Sequence, residues 1–431
     1  MPDLLIDNAV LATMGGGDGP AIGPAQADLG LVAQGALAIA GGRIAAIGRR
    51  EDVLRAASEV GDAFDVLDVG GRLVLPGLVD AHTHLVWAGD RALEFERRLG
   101  GATYQDIMAE GGGIATTVRA TRAATDEALL DGLMSRLDAL LAHGVTTVEV
   151  KSGYGLSTEE ELRHLRLIAE AGRHHPVRVV PTFLGAHAVP DEFRGRQDAY
   201  VAYVIDAMLP AIAAEFPSAF CDVFCDEGAF TRDQTARILT TARRLGLRGK
   251  VHSDEFANLG ATALAAELGC VSADHLVAAG PADLDALARA GTVGVILPGT
   301  TVGLGSHRFA DAREMVARGV PVALGSDHNP GTCPSVNLPL MMALAARYCG
   351  LRPAEAVVAA TRNAAYAVGE GQHAGRLAVG RPADLAVVDT ADYRDLTYRF
   401  GDNPAWAVMV GGRWVAPEGG PGATASLTQS L

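Results

Sequence analysis

The chain has 431 residues, of which 51 are acidic and 36 basic, and 49% are hydrophobic. This length suits one large domain, or one large and one small, and the acidic balance without any basic run argues against a nucleic-acid-binding surface. The five cysteines are scattered without CxxC spacing, which argues against a disulfide framework. The first residues lack a signal-peptide pattern, and no apolar run reaches the roughly 18–20 residues of a membrane span. We therefore expect a soluble, cytoplasmic protein without nucleic-acid or membrane partners.

The first 72 residues show the pattern of short strands and turns. Strands are predicted at 4–8, 35–40, 43–48 and 66–69, and the pair Gly41-Gly42 between two of them is typical of a hairpin. The Gly- and Pro-rich stretch 13–30 is predicted to be a flexible surface loop without a chemical role.

From Leu73 onwards, apolar strands alternate with segments that carry apolar residues at helical spacing, such as 128–143, 158–174 and 282–290. The first strand contains the run 73–79, and the eight candidate strands end at residues 84, 151, 185, 226, 252, 275, 298 and 327. Eight near-continuously apolar strands with helical crossovers favour an α/β fold of the (β/α)₈, TIM-like type over an open sheet. We assign 73–370 to this barrel and expect its chemistry at the C-terminal strand ends.

The barrel pattern ends before residue 371. A strand is predicted at 383–389, and 407–415 has the pattern of a hairpin that turns at Gly411-Gly412. These late strands resemble the early ones, so 1–72 and 371–415 are predicted to form one small β-sandwich domain beside the barrel. The Gly- and Ser-rich residues 416–431 are predicted to be a disordered tail.

Two histidines follow the first barrel strand in the run Asp80-Ala81-His82-Thr83-His84. Because side chains alternate along a strand, His82 and His84 point the same way. His252 ends the fifth strand and Asp327 ends the eighth, which adds a third imidazole and a carboxylate. This donor set suits one divalent metal ion, Zn²⁺ or iron as Fe²⁺/Fe³⁺, with a position left for water. Any one of these residues alone is better interpreted as a satisfied polar group, but four at counted strand ends indicate a metal site.

Two further groups at the same rim can move protons. Glu255 lies three residues after His252, and His275 ends the sixth strand. Metal-assisted hydrolysis needs a base for the water proton and an acid for the leaving nitrogen. Glu255 is a candidate for the proton shuttle, and His275 can orient the water or polarise a carbonyl. The alternatives are a salt bridge for Glu255 and a supporting hydrogen bond for His275.

Five longer segments carry a resemblance that extends over the whole chain, namely 75–84, 149–156, 182–187, 252–256 and 326–332. The runs Lys151-Ser152-Gly153-Tyr154-Gly155 and Asp327-His328-Asn329-Pro330-Gly331 are more specific than His-x-His. With these segments the chain resembles the amidohydrolase superfamily, in the class that holds one metal with His-x-His, a fifth-strand His and an eighth-strand Asp. Within that class it is similar to the branch that hydrolyses 4-imidazolone-5-propanoate, a compound of histidine degradation, to N-formimino-L-glutamate.

The resemblance implies a role for each matching residue. The implied metal ligands are His82, His84, His252 and Asp327, and Asp327 also takes part in catalysis with Glu255 and His275. The implied small-molecule substrate lies among Arg91, Tyr154, His187, Glu255 and Thr332, with Asn329 and Gly331 against the product end. The resemblance also implies a homodimer.

Three of these implied roles have a chemical basis in the sequence. The Arg91 guanidinium can bind a propionate with two parallel hydrogen bonds. Tyr154 stands between two glycines in a loop that can cover the ring, and Gly331 lets a ligand approach the backbone closely. The alternatives are a surface charge for Arg91, loop packing for Tyr154 and a capping role for His187. Two departures from the family pattern are His328, interpreted as a bystander, and the Gly-rich addition near residues 15–19.

Other functions remain open at this point. A deaminase of a cyclic amidine or base would use the same metal set, although Arg91 as a carboxylate clamp favours the propionate. A two-metal hydrolase would need a bridging lysine on the fourth strand, whereas Lys151 lies on the second and the fourth ends in Cys225-Asp226-Glu227. A non-catalytic barrel predicts missing ligands or bases, and none is missing.

Overall fold

The structure, a computed structural model, describes residues 3–58, 64–102, 106–107 and 111–416. Within these residues the chain forms two eight-stranded sheets. The strands, in chain order, are β1 Leu4–Ala12, β2 Leu31–Ala40, β3 Arg43–Arg49, β4 Asp65–Asp68, β5 Leu73–Pro76, β6 Leu78–Asp80, β7 Val145–Lys151, β8 Arg178–Ala186, β9 Phe220–Cys225, β10 Arg248–Ser253, β11 Ser272–His275, β12 Val293–Ile296, β13 Val322–Leu324, β14 Leu385–Val388, β15 Ala405–Val410 and β16 Arg413–Ala416.

Strands β6 to β13 pair in sequential order, and every pair is parallel. Their side chains are buried on both faces, as all seven residues of β7 show. The first and last strands meet where Thr83 forms a parallel bridge with His328. There the Asp327 N–H donates to the His82 carbonyl, and the His84 N–H donates to the His328 carbonyl, both at 2.9 Å. The predicted (β/α)₈ barrel is confirmed.

Helices cover the outside of the barrel, and their starts follow simple capping rules. The helix Thr158–His174 begins after Ser157, whose side chain accepts from the Glu160 N–H, and it has three glutamates in its first turn. The α-helices are Arg50–Ser58, Ala92–Leu99, Ile114–Ala123, Asp126–Ala142, Thr158–His174, Gln197–Tyr203, Leu209–Glu215, Arg232–Arg244, Ala261–Glu267, Pro281–Ala290, Pro298–Gly303, Ala312–Arg318, Leu338–Tyr348, Pro353–Ala359, Arg362–Ala367 and Asp395–Tyr398. A π-helical turn, Val204–Met208, joins two of them, and two 3₁₀ turns are Gly23–Ala27 and Asp191–Phe193.

The second sheet is mixed and is built from both ends of the chain, in the order β16-β15-β14-β5-β1-β2-β3, with β4 also paired to β1. Strands β2 and β3 turn at Gly41-Gly42, and β15 and β16 turn at Gly411-Gly412, as predicted. The predicted small β unit from the N- and C-terminal segments is confirmed, and its strands are hydrogen-bonded into a single branched sheet. The helix Arg50–Ser58 was not predicted. The domain boundaries stay predictions, and the tail predicted for 416–431 lies outside the described residues except for Ala416.

The run 73–79 was predicted as one strand, and this was wrong. Leu73–Pro76 pairs with β1 and β14 in the second sheet, whereas Leu78–Asp80 pairs with β7 in the barrel. Gly77 separates the two pieces because its backbone packs directly on the Thr146 side chain, where a Cβ would collide. One short run therefore serves both sheets.

The stretch 13–30 is a surface loop, as predicted, with one 3₁₀ turn, but it makes contacts with the fold that were not predicted. Met14 and Gln26 are completely buried. Gln26 hydrogen-bonds to the backbone of Val320 and Val322, at the entrance of the last barrel strand. The Arg362 guanidinium donates to the carbonyls of Met14, Gly16, Gly17 and Gly19. The stretch is thus bound to the end of the barrel opposite the expected catalytic rim.

The helices and the cysteines of the described residues can be compared with the sequence expectations. Among the described helices, none has the length and apolar character that crossing a bilayer requires. The five cysteines are buried free thiols.

Candidate active site

The four predicted metal ligands converge at the C-terminal ends of the barrel strands. His82 and His84 follow β6, His252 lies in β10, and Asp327 follows β13. Each residue has at most 3% of its surface exposed. Asp327 has a φ of 53°, which is uncommon for a residue with a side chain and is found most often where function constrains the backbone.

The donor atoms of this cluster have the spacing of one coordination shell. The His84 Nε2 lies 3.4 Å from the His252 Nε2 and 3.3 Å from the Asp327 Oδ1. The His82 Nε2 lies 3.5 Å from the same Asp327 oxygen. A tetrahedral site with metal–nitrogen distances of about 2.0–2.1 Å has edges of about 3.3–3.4 Å. The cluster therefore fits one small divalent cation.

Two donor atoms of the cluster also lack any other partner within the described residues. The His82 Nε2 and the Asp327 Oδ1 are buried without a hydrogen bond. Buried polar atoms are rarely left unpaired, and a cation supplies the missing interaction. Burial would raise the pKa of Asp327, but the nearby His84 imidazole holds it well below its usual value. Burial, with Lys151 and His252, lowers the pKa of His82, so this imidazole is neutral and able to ligate.

Carboxylates inside the barrel orient two of the histidines. The His82 Nδ1 lies 2.6 Å from Asp274, and the His252 Nδ1 lies 3.0 Å from Asp222. An imidazole held at one nitrogen by a carboxylate presents the other nitrogen to a metal in a fixed direction. Both carboxylates are completely buried.

Buried lysines compensate the charge of these carboxylates. The Lys151 Nζ lies 2.7 Å from both Glu149 and Asp222 and 3.9 Å from Asp274. Burial alone would lower the pKa of Lys151, but the carboxylates outweigh it and raise the pKa. Lys250 lies 3.8 Å from Asp274 on the other side. Lys151 thus takes part in an internal ion-pair network, which does not favour the two-metal alternative.

Glu255 and His275 lie beside the cluster. The His275 Nδ1 is 3.7 Å from the Glu255 carboxylate, and these side chains are only 3% and 9% exposed. Burial, with the charges of Asp327 and Asp226, raises the pKa of Glu255 well above its usual range. Burial lowers the pKa of His275 to about 3. A buried carboxyl group with a raised pKa, beside an imidazole with a lowered pKa, is suited to accepting and returning a proton.

The loop that carries Glu255 is held by Asp226, at the end of the neighbouring strand. The Asp226 carboxylate accepts hydrogen bonds from the backbone N–H groups of Glu255, Phe256 and Ala257 at 2.5–3.1 Å. Three backbone donors on one carboxylate fix the loop more strongly than a single neutral bond. Asp226 thus fixes the backbone position of Glu255.

Tyr154 and His187 form the opposite wall. The His187 ring stacks on His84 with centroids 5.2 Å apart, and Tyr154 lies 5.3 Å from His187. The buried Glu161 carboxylate accepts from the N–H groups of Gly153, Gly155 and Leu156 at 2.7–3.1 Å. The His187 Nδ1 lies 2.9 Å from the Gly153 carbonyl. The Tyr154 loop is therefore held in place through its backbone groups, by Glu161 and His187.

The remaining predicted residues close the site. The Asn329 side-chain oxygen accepts from the N–H groups of Gly331 and Thr332, each at 2.8 Å. Gly331 packs so closely against Arg91 that a Cβ at this position would displace the guanidinium. Arg91 is 8% exposed, and its Nε donates to Glu94 at 2.7 Å.

A small cavity of about 50 Å³ joins these groups. The predicted residues that line it are His84, Arg91, Tyr154, His187, His252, Glu255, His275, Asp327, Asn329 and Thr332. His82 lies behind the wall and Gly331 beneath Arg91, so neither is on the lining. An outer cavity of about 510 Å³ shares Ile114, His187, Phe224 and Phe256 with it. These four side chains separate the outer cavity from the inner one.

Comparison with known proteins agrees with this geometry. Residues 73–415 match the model of the amidohydrolase family. The chain is 50% identical to an imidazolonepropionase of Symbiobacterium thermophilum, with 97% of this chain and 98% of that protein covered. An imidazolonepropionase of Chloroflexus aggregans is 49% identical, with 96% and 98% covered. The chain belongs to the imidazolonepropionase family.

Membership in this amidohydrolase family makes the chain a hydrolase of carbon–nitrogen bonds. The relatives that are 42–50% identical to this chain carry the name imidazolonepropionase. The deaminase alternative is therefore not favoured. A triazine hydrolase variant shares the fold, with a TM-score of 0.74, 18% identity, and 98% of this chain and 96% of the other covered.

Several residues of the site were missed from the sequence. Asp222, Asp274, Glu149, Lys151 and Lys250 were given no role in orienting ligands. A signal existed for Glu149 and Lys151, because these two charges stand at alternate positions of the strand β7 and therefore face the same way. Among the described residues, the His328 side chain belongs to no candidate metal cluster, and its Nδ1 lies 3.3 Å from the Cys333 carbonyl. The His328 carbonyl helps to close the barrel.

Proposed function

We propose that this chain hydrolyses 4-imidazolone-5-propanoate to N-formimino-L-glutamate, a reaction of histidine degradation. The observation that carries this proposal is the lining of the inner cavity. One wall holds three residues of the cation cluster, His84, His252 and Asp327, and Arg91 lines the same cavity. A ring with a short carboxylate chain needs these two features together.

The cation cluster determines where the reaction occurs. His82, His84, His252 and Asp327 would hold one divalent ion, and we propose zinc or iron because three imidazoles and one carboxylate suit either. When bound, such an ion supplies Lewis-acid polarisation of the ring carbonyl and a more acidic water. The ring carbonyl must therefore face these residues.

Glu255 and His275 carry the proton chemistry in this proposal. Glu255 takes a proton from the attacking water and returns it to the ring nitrogen as the carbon–nitrogen bond breaks. Its support is its place on the cavity lining and its near-complete burial, which keeps bulk water from exchanging that proton. His275 orients the water, and Asp327 assists both groups from the cation side.

The other lining residues hold the substrate. Arg91 binds the propionate through paired hydrogen bonds. Tyr154 and His187 cover the faces of the ring, and Thr332 and Glu255 contact its polar edge. Asn329 and Gly331 shape the end that receives the product. We also propose a homodimer, as the resemblance implied, a cytoplasmic location, as the composition predicted, and a small molecule as the substrate.

The test is turnover of 4-imidazolone-5-propanoate by the full chain loaded with zinc or with iron, together with elemental analysis. We expect one metal ion per chain, formation of N-formimino-L-glutamate, and loss of activity on chelation. Release of ammonia from cyclic amidines, without ring opening of the imidazolone, would instead support the deaminase alternative.

A further inference from the structure

The Arg91 guanidinium has a partner to which no role has been given. Glu94 lies three residues further along, in the helix Ala92–Leu99, and its Oε2 accepts from the Arg91 Nε at 2.7 Å. Its side chain is 12% exposed and that of Arg91 7%, so the ion pair is largely shielded from water. Such a pair restricts the guanidinium much more than an exposed one would.

The second oxygen of Glu94 holds another part of the site. The Glu94 Oε1 accepts from the Gly113 N–H at 3.0 Å. Gly113 has a φ of 70° and directly precedes the helix Ile114–Ala123. Ile114 lines both the inner and the outer cavity. One carboxylate therefore connects the guanidinium to the turn that places a wall of the site.

The helix that carries Glu94 is held through this polar face. None of its residues 92–99 is buried, and Leu93, Phe95 and Leu99 are 70%, 50% and 75% exposed. Arg98, one turn after Glu94, donates to the carbonyls of Gly303 and Gly331. Since apolar burial contributes little here, the polar contacts decide where the helix sits.

We propose that Glu94 is a positioning residue that determines specificity for substrates with a carboxylate chain. It fixes the Arg91 guanidinium in the orientation that receives the carboxylate, and the Gly113 N–H holds the second oxygen of Glu94 in place. This proposal rests on the proposed function. Glu94 touches neither the cation cluster nor Glu255 in the contacts of the described residues, so its effect should appear in substrate binding rather than in chemistry.

The experiment compares Glu94→Ala, Glu94→Gln and Glu96→Gln in the metal-loaded full chain. For 4-imidazolone-5-propanoate, Glu94→Ala should raise KM about 10- to 100-fold, the range expected of a charge-assisted hydrogen bond. Its kcat should stay within about threefold, because a binding contact remote from the reacting bond acts on KM. Metal content should be unchanged.

The other two variants serve as matched comparisons. A glutamine has one acceptor oxygen, so it can serve either Arg91 or Gly113 but not both, and Glu94→Gln should have an intermediate KM. This variant also keeps the test valid if the alanine variant does not fold. Glu96 is exposed on the same helix, and Glu96→Gln should behave as wild type.

Two further measurements separate positioning from a general structural role. An imidazolone without the propionate should be processed equally by wild type and Glu94→Ala. In an Arg91→Met background, Glu94→Ala should add almost nothing, because the two residues act together. Equal losses on both substrates, or additive effects of the two substitutions, would refute the proposal. An inactive wild type would overturn the proposed function and this inference together, whereas an active wild type with an unaltered Glu94→Ala overturns the inference alone.

Discussion

The two halves of the site are held in different ways. The metal-facing half, formed by His82, His84, His252 and Asp327, lies at the ends of paired strands, and buried carboxylates contact two of its rings. The substrate-facing half lies on loops, where Glu161, Asp226, Glu94 and Asn329 accept hydrogen bonds from backbone N–H groups. Coordination requires side chains placed within tenths of an ångström, which strand register provides. Substrate recognition needs a shaped surface, which a fixed loop backbone provides.

The largest effect is expected from breaking the metal-facing half. His252→Ala should lose most of the metal and essentially all turnover, because it removes one of the four ligands together with the imidazole that Asp222 orients. Elemental analysis and a turnover assay check both effects. His174→Ala, at a surface position with a 66% exposed side chain, is the control. Full activity in metal-free protein would contradict the role of the cluster.

The next effect concerns Glu255, where the two halves meet. Glu255→Gln keeps the shape but removes the exchangeable proton, so we expect normal metal content and a kcat lowered by roughly 10²–10⁴. Glu227→Gln, at an exposed residue of the outer cavity, should change nothing. A near-normal kcat in Glu255→Gln would transfer the proton role to another group, such as His275.

Arg91 tests the substrate-facing half alone. Arg91→Met should leave the metal in place and weaken kcat/KM by about 2–5 kcal/mol, as expected when a buried charge pair is broken. Arg91→Lys should recover only part, because an ammonium cannot make two planar, parallel hydrogen bonds. A substrate without the propionate should be affected by neither variant. If Arg91→Met loses equal activity on both substrates, Arg91 supports the structure and does not bind the carboxylate.

Asp274 tests whether the buried carboxylates hold the metal-facing half. Asp274→Asn removes the negative charge at the His82 Nδ1, and we expect metal affinity to fall about 10- to 100-fold. Competition with a chelator of known affinity measures this change. Unchanged affinity would mean that strand geometry alone orients His82.

The smallest effect is a pH dependence of stability on the substrate-facing side. His164 is buried in the helix Thr158–His174, and burial lowers its pKa to about 3. The unfolded chain binds this proton near pH 6.5 and the folded chain does not, so stability decreases as the pH falls from about 6.5 towards 3. Between pH 7.5 and 5, wild type should lose about 2 kcal/mol more unfolding free energy than His164→Leu. Denaturant unfolding at both pH values measures the difference, and equal losses would contradict a neutral buried His164.

Much of the fold followed from patterns that repeat. Apolar strands alternating with helices predict the barrel because each strand is buried on both faces, and the helix predicted at 158–174 has the observed bounds. The break at Gly77 was not predicted, since the run 73–79 is uniformly apolar and only the Thr146 side chain, far along the chain, shows why it must divide. The contacts of the stretch 13–30 were not predicted for the same reason. Its composition is that of a loop, and its partners Arg362 and Asn363 are known only from the fold.

In the site, the residues that face the cavity were predicted more easily than those that support them. His82, His84, His252 and Asp327 stand at strand ends, where a sequence pattern locates them. Glu94, Glu161 and Asp226 act on backbone N–H groups, and no periodicity marks a carboxylate for that role. The two charges at alternate positions of β7 would have pointed to Glu149 and Lys151.

The bond between Arg362 and the Gly16 carbonyl joins residues 346 positions apart, and this has a consequence for synthesis. At about 5–20 residues per second, a ribosome needs roughly 20–70 s to deliver the arginine after the glycine. Strand β5 likewise waits for β14. Strands β1 to β5 can pair with one another as soon as they emerge, but one edge of β5 leaves the ribosome long before β14 exists. Contacts of such long sequence separation make folding slow, and the open edge of β5 needs protection from aggregation until β14 is made.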